Sequence, residues 1–450
     1  MLRKTAGSKR LGLRKSPITG DNKLSPKAIF LREKIELGFK EISLPQAGLA
    51  KMRARLSEDR QAIKIINGQL CESMGYREGL LGVRKLLEKE LEFQEALSGM
   101  VSKDELMYLI GYAPYDTTEA LVKTAKQEQW GIFITEPSED DNVPVLLRNP
   151  KWVSLINPLF KLLEIVPGYR ELDVSPLFLL FLSLFFGMII GDAGYGAVYF
   201  LLVFLSLRKF GNKAKDKTVF FLFFLFSSCS IIWGLLTGTV FGQQWYFAKG
   251  FKPFLPILNE TKFLMAFCFF LGAFQLSLAH GWQALIKLPS LKALADAGFI
   301  CLLWAGFFLA KMFILGDIFP IFGKWLIWAG ILLIIFFSNP QKNVFRGIME
   351  GIGIIALGLM GNFGDVVSYI RLFAVGLAGV AVADAVNTLA AGAGNNVAAQ
   401  IIILFIGHTI NIVLGPISVL VHGIRLNILE FSLLHGNITW SGLAYKPLKN

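Results

Sequence analysis

Long apolar runs between residues 176 and 440 constrain this sequence more than any other feature. A helix needs roughly 20 mostly apolar residues to cross the hydrocarbon core of a bilayer. Backbone hydrogen bonds in lipid are satisfied only by helices and closed barrels, and runs of this length favour helices. The chain is therefore predicted to be a mainly α, polytopic membrane protein. Its mean hydropathy of +0.54 and its 39 phenylalanines agree with that class.

About eight segments are predicted to cross the membrane. The last two are longer than a perpendicular crossing requires, so we expect them to be tilted, kinked or extended beyond the lipid. An even number of crossings places both ends of the spanning part on one side. The segments are 176–191, 193–208, 218–241, 262–282, 297–315, 321–338, 350–391 and 397–434.

Lysine and arginine are denser after the second, fourth, sixth and eighth segments than on the opposite side. Cytoplasmic loops of membrane proteins carry such an excess, so both termini are predicted to be cytoplasmic. The net charge of +12 is explained by the same loops, and no nucleic-acid partner is expected.

Composition divides the chain into four parts. Residues 1–27 form a basic tail with Pro and Gly, predicted to be disordered. Residues 28–170 form a cytosolic arm with helices and a small αβ lobe. Residues 171–440 form the transmembrane domain, and 441–450 a cytoplasmic C-terminal tail.

The arm is predicted to contain long helices at 28–66 and 77–99. The second has a narrow apolar seam among charged residues, which fits either a helix packed on its own domain or half of a coiled coil. Both interpretations stay open. The seam residues are Leu80, Val83, Leu87 and Leu91.

The lobe is predicted to contain strands at 106–110 and 130–135 and a helix at 117–128. The arm has no GxxxxGK[ST], HExxH or CxxC motif, so we expect no ATP site, catalytic metal or cofactor there. The four cysteines are scattered, without the paired spacing of metal or redox sites.

Arg371 lies about twenty residues into the seventh segment. A charged side chain at a bilayer centre costs about 2.5–3.5 kcal/mol on insertion scales, which makes it a functional hypothesis by default. Its guanidinium stays protonated, and the small residues that follow let another helix approach. An alternative is a static pair with Asp365 or Asp384, although neither shares its helical face. The small residues are Ala374, Gly376, Ala378, Gly379, Ala381 and Ala385.

The eighth segment carries Asn411, Ser418, His422 and Arg425 at successive offsets of seven, four and three. In a helix this spacing makes one polar stripe, predicted to line a hydrated path. The alternative is a helix whose histidine is simply packed in the core.

Two acidic residues are further candidates. Glu430 follows Arg425 by five residues, where it either collects a cation or lies at the interface. Asp192, in the glycine-rich break between the first two segments, is either a turn former or a lining residue.

Three motifs carry a resemblance to a known family. They are FFGMIIGDAGYG at 185–196, VVSYIRLFAVGLAG at 366–379 and HGIRLNILEF…GLAYKPL within 422–448. They resemble subunit a, also called subunit I, of V-type and A-type rotary ATPases, over roughly 105–450. The family's longer cytosolic part is here shortened or replaced by the basic tail.

The resemblance implies a stator subunit that conducts H⁺ or Na⁺ through two half-channels against a rotating proteolipid ring. Arg371 would face the ring carboxylates with Arg425 beside it, while Glu430 and Ser368 would line a half-channel. Expected partners are the proteolipid (c/K) ring, the peripheral and central stalk subunits and membrane lipid. The chain would be a non-catalytic subunit in a prokaryotic plasma (inner) membrane.

Two other classes remain open. A secondary transporter usually has repeated halves with discontinuous helices near the midplane, and the sequence shows no internal repeat. A non-conducting membrane anchor of the same complex fits the shortened arm, but the two arginines argue against it.

Overall fold

The computed structural model describes residues 49–103, 106–138, 141–214, 216–243, 254–338 and 344–447. The predicted tail at 1–27 lies outside these residues. The chain divides into two units, one ending at Met100 and the other covering Val101–Leu448, which are described separately.

In the first unit, helix α1 covers Leu49–Ser98 without interruption. The predicted break between residues 67 and 76 is therefore wrong. Gly68 and Gly75 lie inside the helix, where each glycine costs about 1 kcal/mol relative to alanine and is outweighed by neighbouring helix formers. The seam residues Leu80 and Leu87 are 68% and 64% exposed. The start of the other predicted helix lies outside the described residues.

The lobe at the start of the second unit is small. Strand β1 (Val101–Lys103) pairs antiparallel with β2 (Leu106–Tyr108), and helix α2 covers Thr118–Gln127. The predicted strand at 130–135 does not form, because no strand among the described residues lies beside it to complete a ladder. A short helix, α3 (Asn157–Leu163), precedes the apolar part.

Nine helices among the described residues make up the apolar part, and they cover the eight predicted segments. Six spans there are long and apolar enough to cross a membrane, whereas α4 and α9 have only 16 and 17 residues. The helices are α4 Ser175–Ile190, α5 Ala193–Phe210, α6 Thr218–Thr237, α7 Thr261–Lys287, α8 Ala293–Ala310, α9 Ile321–Phe337, α10 Val344–Ser368, α11 Ile370–Gly392 and α12 Val397–Ser418.

The last two predicted segments are long but not uniform helices. Between α10 and α11 the helix is interrupted at Tyr369, which is fully buried. Helix α12 contains Pro416 and continues in wider π-helical turns at Val419–Gly423 and Leu426–His435. Proline removes a backbone donor, and π turns are frequent at functional sites. Both irregularities lie close in sequence to the predicted arginines.

The two ends of the spanning part meet. Strand β3 (Pro144–Val145), before α4, pairs parallel with β4 (Leu443–Ala444), after the last π turn. The Glu171 carboxylate accepts hydrogen bonds from the backbone and hydroxyl of Thr439. Burial alone would raise the pKa of Glu171, but these bonds lower it below its ordinary value. The chain therefore enters and leaves this part at one end, as an even number of crossings requires.

Helix α4 lies at the centre of this packing and contacts α6, α11 and the first π turn. Phe178, Leu182 and Phe185 on it are almost fully buried. Close approach depends on glycine: a Cβ at Gly234 on α6 would lie 2.0 Å from the backbone nitrogen of Ala193. Helix α6 can therefore reach the α4–α5 turn only without a side chain at this position.

We expect Gly234→Ala to destabilise the folded protein by about 1–3 kcal/mol, the usual cost of overpacking a tight contact. The measurement is the thermal midpoint of the purified protein in detergent. Gly361→Ala is the matched control, since nothing lies within 4 Å of its added Cβ. A larger loss for the control than for Gly234→Ala would contradict this packing.

Candidate ion-translocation site

Glu430 brings the two predicted arginines together. Its Oε1 lies 3.6 Å from Arg371 Nη1 and 3.7 Å from Arg425 Nε. The Glu430 side chain is only 5% exposed, whereas those of Arg371 and Arg425 are 24% and 54% exposed. One buried carboxylate thus lies between two guanidinium groups.

These contacts are ionic and longer than hydrogen bonds. The Ser368 hydroxyl donates to Glu430 Oε1 at 3.2 Å. Among the described residues, Glu430 Oε2 and Arg371 Nη1 have no hydrogen-bond partner. The predicted residues Arg371, Arg425, Glu430 and Ser368 therefore form one cluster that keeps hydrogen-bonding capacity. The alternative pairing of Arg371 with Asp365 is not formed, because Asp365 contacts His435 instead.

A buried polar brace, which the sequence did not predict, lies beside this cluster. The Tyr369 hydroxyl donates to Gln275 Oε1, and Gln275 Nε2 donates to Asn427 Oδ1, both at 2.9 Å. All three residues are fully buried. The brace ties the α10–α11 break to α7 and to the second π turn. The sequence signal for this brace was that Tyr369 and Asn427 each lie two residues from a predicted arginine, in YIR and RLN.

A second polar cluster involves Asn411. Its amide donates to the Tyr195 hydroxyl at 3.0 Å and to the Gly379 carbonyl at 2.9 Å. The Tyr195 hydroxyl also lies 2.7 Å from His408 Nδ1. Asn411 and Ser418 line one cavity of about 150 Å³ between α4, α5, α11 and α12. Tyr195 and His408 were missed because only the fold brings them to the stripe.

Asp192 lies near this cluster and acts as a helix cap. Its buried carboxylate accepts hydrogen bonds from the backbone nitrogens of Tyr195, Phe241 and Gly242. These are the contacts of the turn former considered above, and its role as a lining residue stays a prediction. His422 is half-buried on the first π turn, outside the residues that line the cavity.

One face of α11 is not covered by the rest of the described chain. The alanines at positions 374, 378, 381 and 385 are all exposed, and they share a helical face with Arg371. In the 18-residue apolar window within the span Val397–His435, no residue is buried. Much of the surface of these two segments is therefore left uncovered by the rest of the described chain.

No group of three or more His, Cys, Asp or Glu is placed to hold a metal ion among the residues described here. The fold and these buried groups define a polytopic α-helical membrane protein with an ionic cluster inside its spanning region.

The sequence is 35% identical over 389 residues to "V-type ATP synthase subunit I" of Borreliella burgdorferi, covering 81% of this chain and 64% of the relative. It is 32% identical over 441 residues to "V-type ATP synthase subunit I 1" of Treponema pallidum, covering 91% and 70%. "A-type ATP synthase subunit I" of Methanocaldococcus jannaschii is 27% identical, covering 86% and 62%. No protein-family model matches.

The chain belongs to the family of subunit I of V-type and A-type ATP synthases. The resemblance carried by the three motifs is confirmed. The chain spans 62–70% of the length of these three relatives.

We expect Glu430→Gln to destabilise the protein more than Arg425→Gln. Loss of one partner from a buried ion pair costs about 3–5 kcal/mol, whereas an exposed partner contributes about 0–1 kcal/mol. Thermal midpoints of both variants in detergent measure the difference. Equal shifts would mean that Glu430 is not held by the arginines.

Proposed function

We propose that this chain is a membrane stator subunit of a rotary ATPase, conducting H⁺ or Na⁺ through two half-channels against a rotating proteolipid ring. The observation that carries the proposal is Arg371: it lies on an uncovered small-residue face and has an Nη1 atom without a hydrogen-bond partner among the described residues. A guanidinium in that position is available to a carboxylate on a neighbouring helix.

The permanent charge of Arg371 sets the order of events. A ring carboxylate carrying its cation is neutral and can face lipid. On reaching Arg371 it releases the cation, because the guanidinium favours the charged carboxylate. The same charge repels a cation that would otherwise leak directly across the membrane. Glu430 compensates the charge of Arg371 while no ring carboxylate lies beside it.

The two half-channels correspond to the two polar clusters. Asn411 and Ser418 line one cavity, and Glu430 with Ser368 forms the other cluster. Ser418 and Glu430 are 12 residues apart in the sequence, and the stretch between them includes the π turns. Arg371 contacts only the second cluster through an ion pair among the described residues. An ion could therefore move from one cluster to the other only when the ring carries it.

Orientation follows from the charge bias of the loops. Cytoplasmic termini place Glu430 toward the cytoplasm and the Asn411 cavity toward the opposite side. The partners are the proteolipid ring and the central and peripheral stalk subunits, in a prokaryotic plasma membrane. ATP hydrolysis or synthesis would occur on other subunits. Each elementary charge that crosses 100 mV carries about 2.3 kcal/mol, so one ATP is matched to several ions.

Arg371→Lys should abolish ATP-driven ion transport although the charge is kept, because an ammonium cannot bridge a carboxylate bidentately. Arg371→Gln should also leave none, whereas Arg425→Gln should leave reduced but measurable transport, since Arg425 is half exposed. The measurement is ATP-driven ion uptake into inverted vesicles that contain the assembled complex. Near-wild-type transport by Arg371→Lys would remove Arg371 as the barrier.

Cysteines at positions 411, 418 and 422 should react with a small water-soluble thiol reagent, because these positions form the predicted hydrated stripe. Cysteine replacing Val413, on the opposite face of α12, is the control and should react slowly. The measurement is the labelling rate in intact vesicles. Protection of all three stripe positions would show that α12 is a dry packing helix.

A further inference from the structure

A row of five titratable residues lies beside the Glu430 cluster, on the face that α7 and α8 cover. Lys287 Nζ bonds both Asp296 oxygens at 2.8 and 3.0 Å. Asp296 Oδ1 is 3.4 Å from His280 Nδ1, and His280 Nε2 is 2.9 Å from His435 Nδ1. His435 Nε2 is 3.0 Å from Asp365 Oδ2. The row is continuous across α7, α8, α10 and the second π turn.

The middle of the row is buried, and its two end residues are more exposed to solvent. His280, His435 and Asp296 are only 4–8% exposed. The side chains of Lys287 and Asp365 are 40% and 20% exposed. Phe299 stacks on the His280 ring at 5.0 Å and shields it. Buried titratable groups of this kind are costly in a spanning region and are functional candidates by default.

The row ends close to the ionic cluster. Ser368 lies one helical turn after Asp365, and its hydroxyl is 3.0 Å from the Asp365 carbonyl oxygen and 3.2 Å from Glu430 Oε1. The end of the row is thus one turn of α10 away from the carboxylate that Arg371 and Arg425 share.

The imidazoles can pass a proton in balanced steps. When His435 Nε2–H donates to Asp365, His435 Nδ1 accepts from His280 Nε2–H, which leaves His280 Nδ1 free to take a proton from the Asp296 end. His280 then gives its Nε2 proton to His435 Nδ1, and His435 gives its Nε2 proton to Asp365. One proton enters at His280, one arrives at Asp365, and both rings end as neutral tautomers that must reset.

We propose that Lys287, Asp296, His280, His435 and Asp365 form a proton relay that serves the Glu430 half-channel, and that the transported ion is therefore H⁺. The inference rests on the proposed function. Hard cations such as Na⁺ require several oxygen ligands. The step between the two imidazoles joins their nitrogens at 2.9 Å, which leaves no room for a metal ion between them.

The competing explanation is a static brace between α7 and the C-terminal turns. The chain offers a matched control for it, because Gln283, also on α7, donates to the Gly436 carbonyl next to His435. Gln283→Leu removes a bond between the same two segments without removing a titratable group. A brace predicts similar losses for both changes.

The test uses the assembled complex in inverted vesicles, with ATP-driven acidification and ATP hydrolysis measured together. His280→Ala should lower acidification per ATP by about tenfold or more, as expected when a proton-transfer group is lost. Added imidazole should restore part of it, because a free ring can occupy the space between Asp296 and His435. His280→Gln fills that space and should not respond, and Gln283→Leu should acidify normally.

Normal acidification by His280→Ala, or a loss that imidazole does not restore, would overturn the relay. ATP-driven uptake of Na⁺ without acidification would overturn it as well. These failures are distinct from failure of the proposed function, which would appear as continued transport by Arg371→Lys in the same vesicles.

Discussion

A permanent positive charge in the spanning region must be compensated, and Glu430 compensates Arg371 in this chain. The compensation is incomplete, since the pair is 3.6 Å apart and Arg371 Nη1 keeps no hydrogen bond within the described residues. A fully hydrogen-bonded pair would hold the arginine as inert structure. The long contact stabilises the charge and leaves it able to interact with a carboxylate outside the chain, which the proposed mechanism requires.

The irregular helices follow from the same constraint. Glu430 lies on a π turn and Arg371 just after the break at Tyr369. Regular helices would present each side chain at the α-helical period, and the wider turns change which side chains face α10 and α11. Breaks in lipid are tolerated where protein re-satisfies the backbone and side chains. The Tyr369–Gln275–Asn427 brace supplies buried partners at this point.

The spans were predictable because hydropathy is a local property, and each predicted segment is occupied by helix. The site was predictable only in part. Arg371 stood out because charge is rare in hydrocarbon, but its contact with Glu430 joins residues 59 positions apart and no local spacing reports it. The stripe was drawn with an α-helical period, which fails beyond Ser418, where the π turns begin. In the arm, the predicted helices at 28–66 and 77–99 left a gap that the structure fills with continuous helix, because the glycines there are outweighed by neighbouring helix formers.

The two histidines of the proposed relay show why this contact could not be predicted from the sequence. His280 and His435 are 155 residues apart, and each alone is a histidine near a helix end. Together they connect the Lys287–Asp296 pair, whose lysine is partly exposed, to Asp365. In the proposed mechanism, Arg371 acts where transfer along fixed hydrogen bonds stops. A proton that arrives beside Glu430 meets two guanidinium groups, whose charge opposes its further passage and favours delivery to a carboxylate that can move away. In the proposed mechanism a fixed relay and a moving acceptor are therefore complementary: the relay would set which ion arrives, and the arginine would make onward movement depend on rotation.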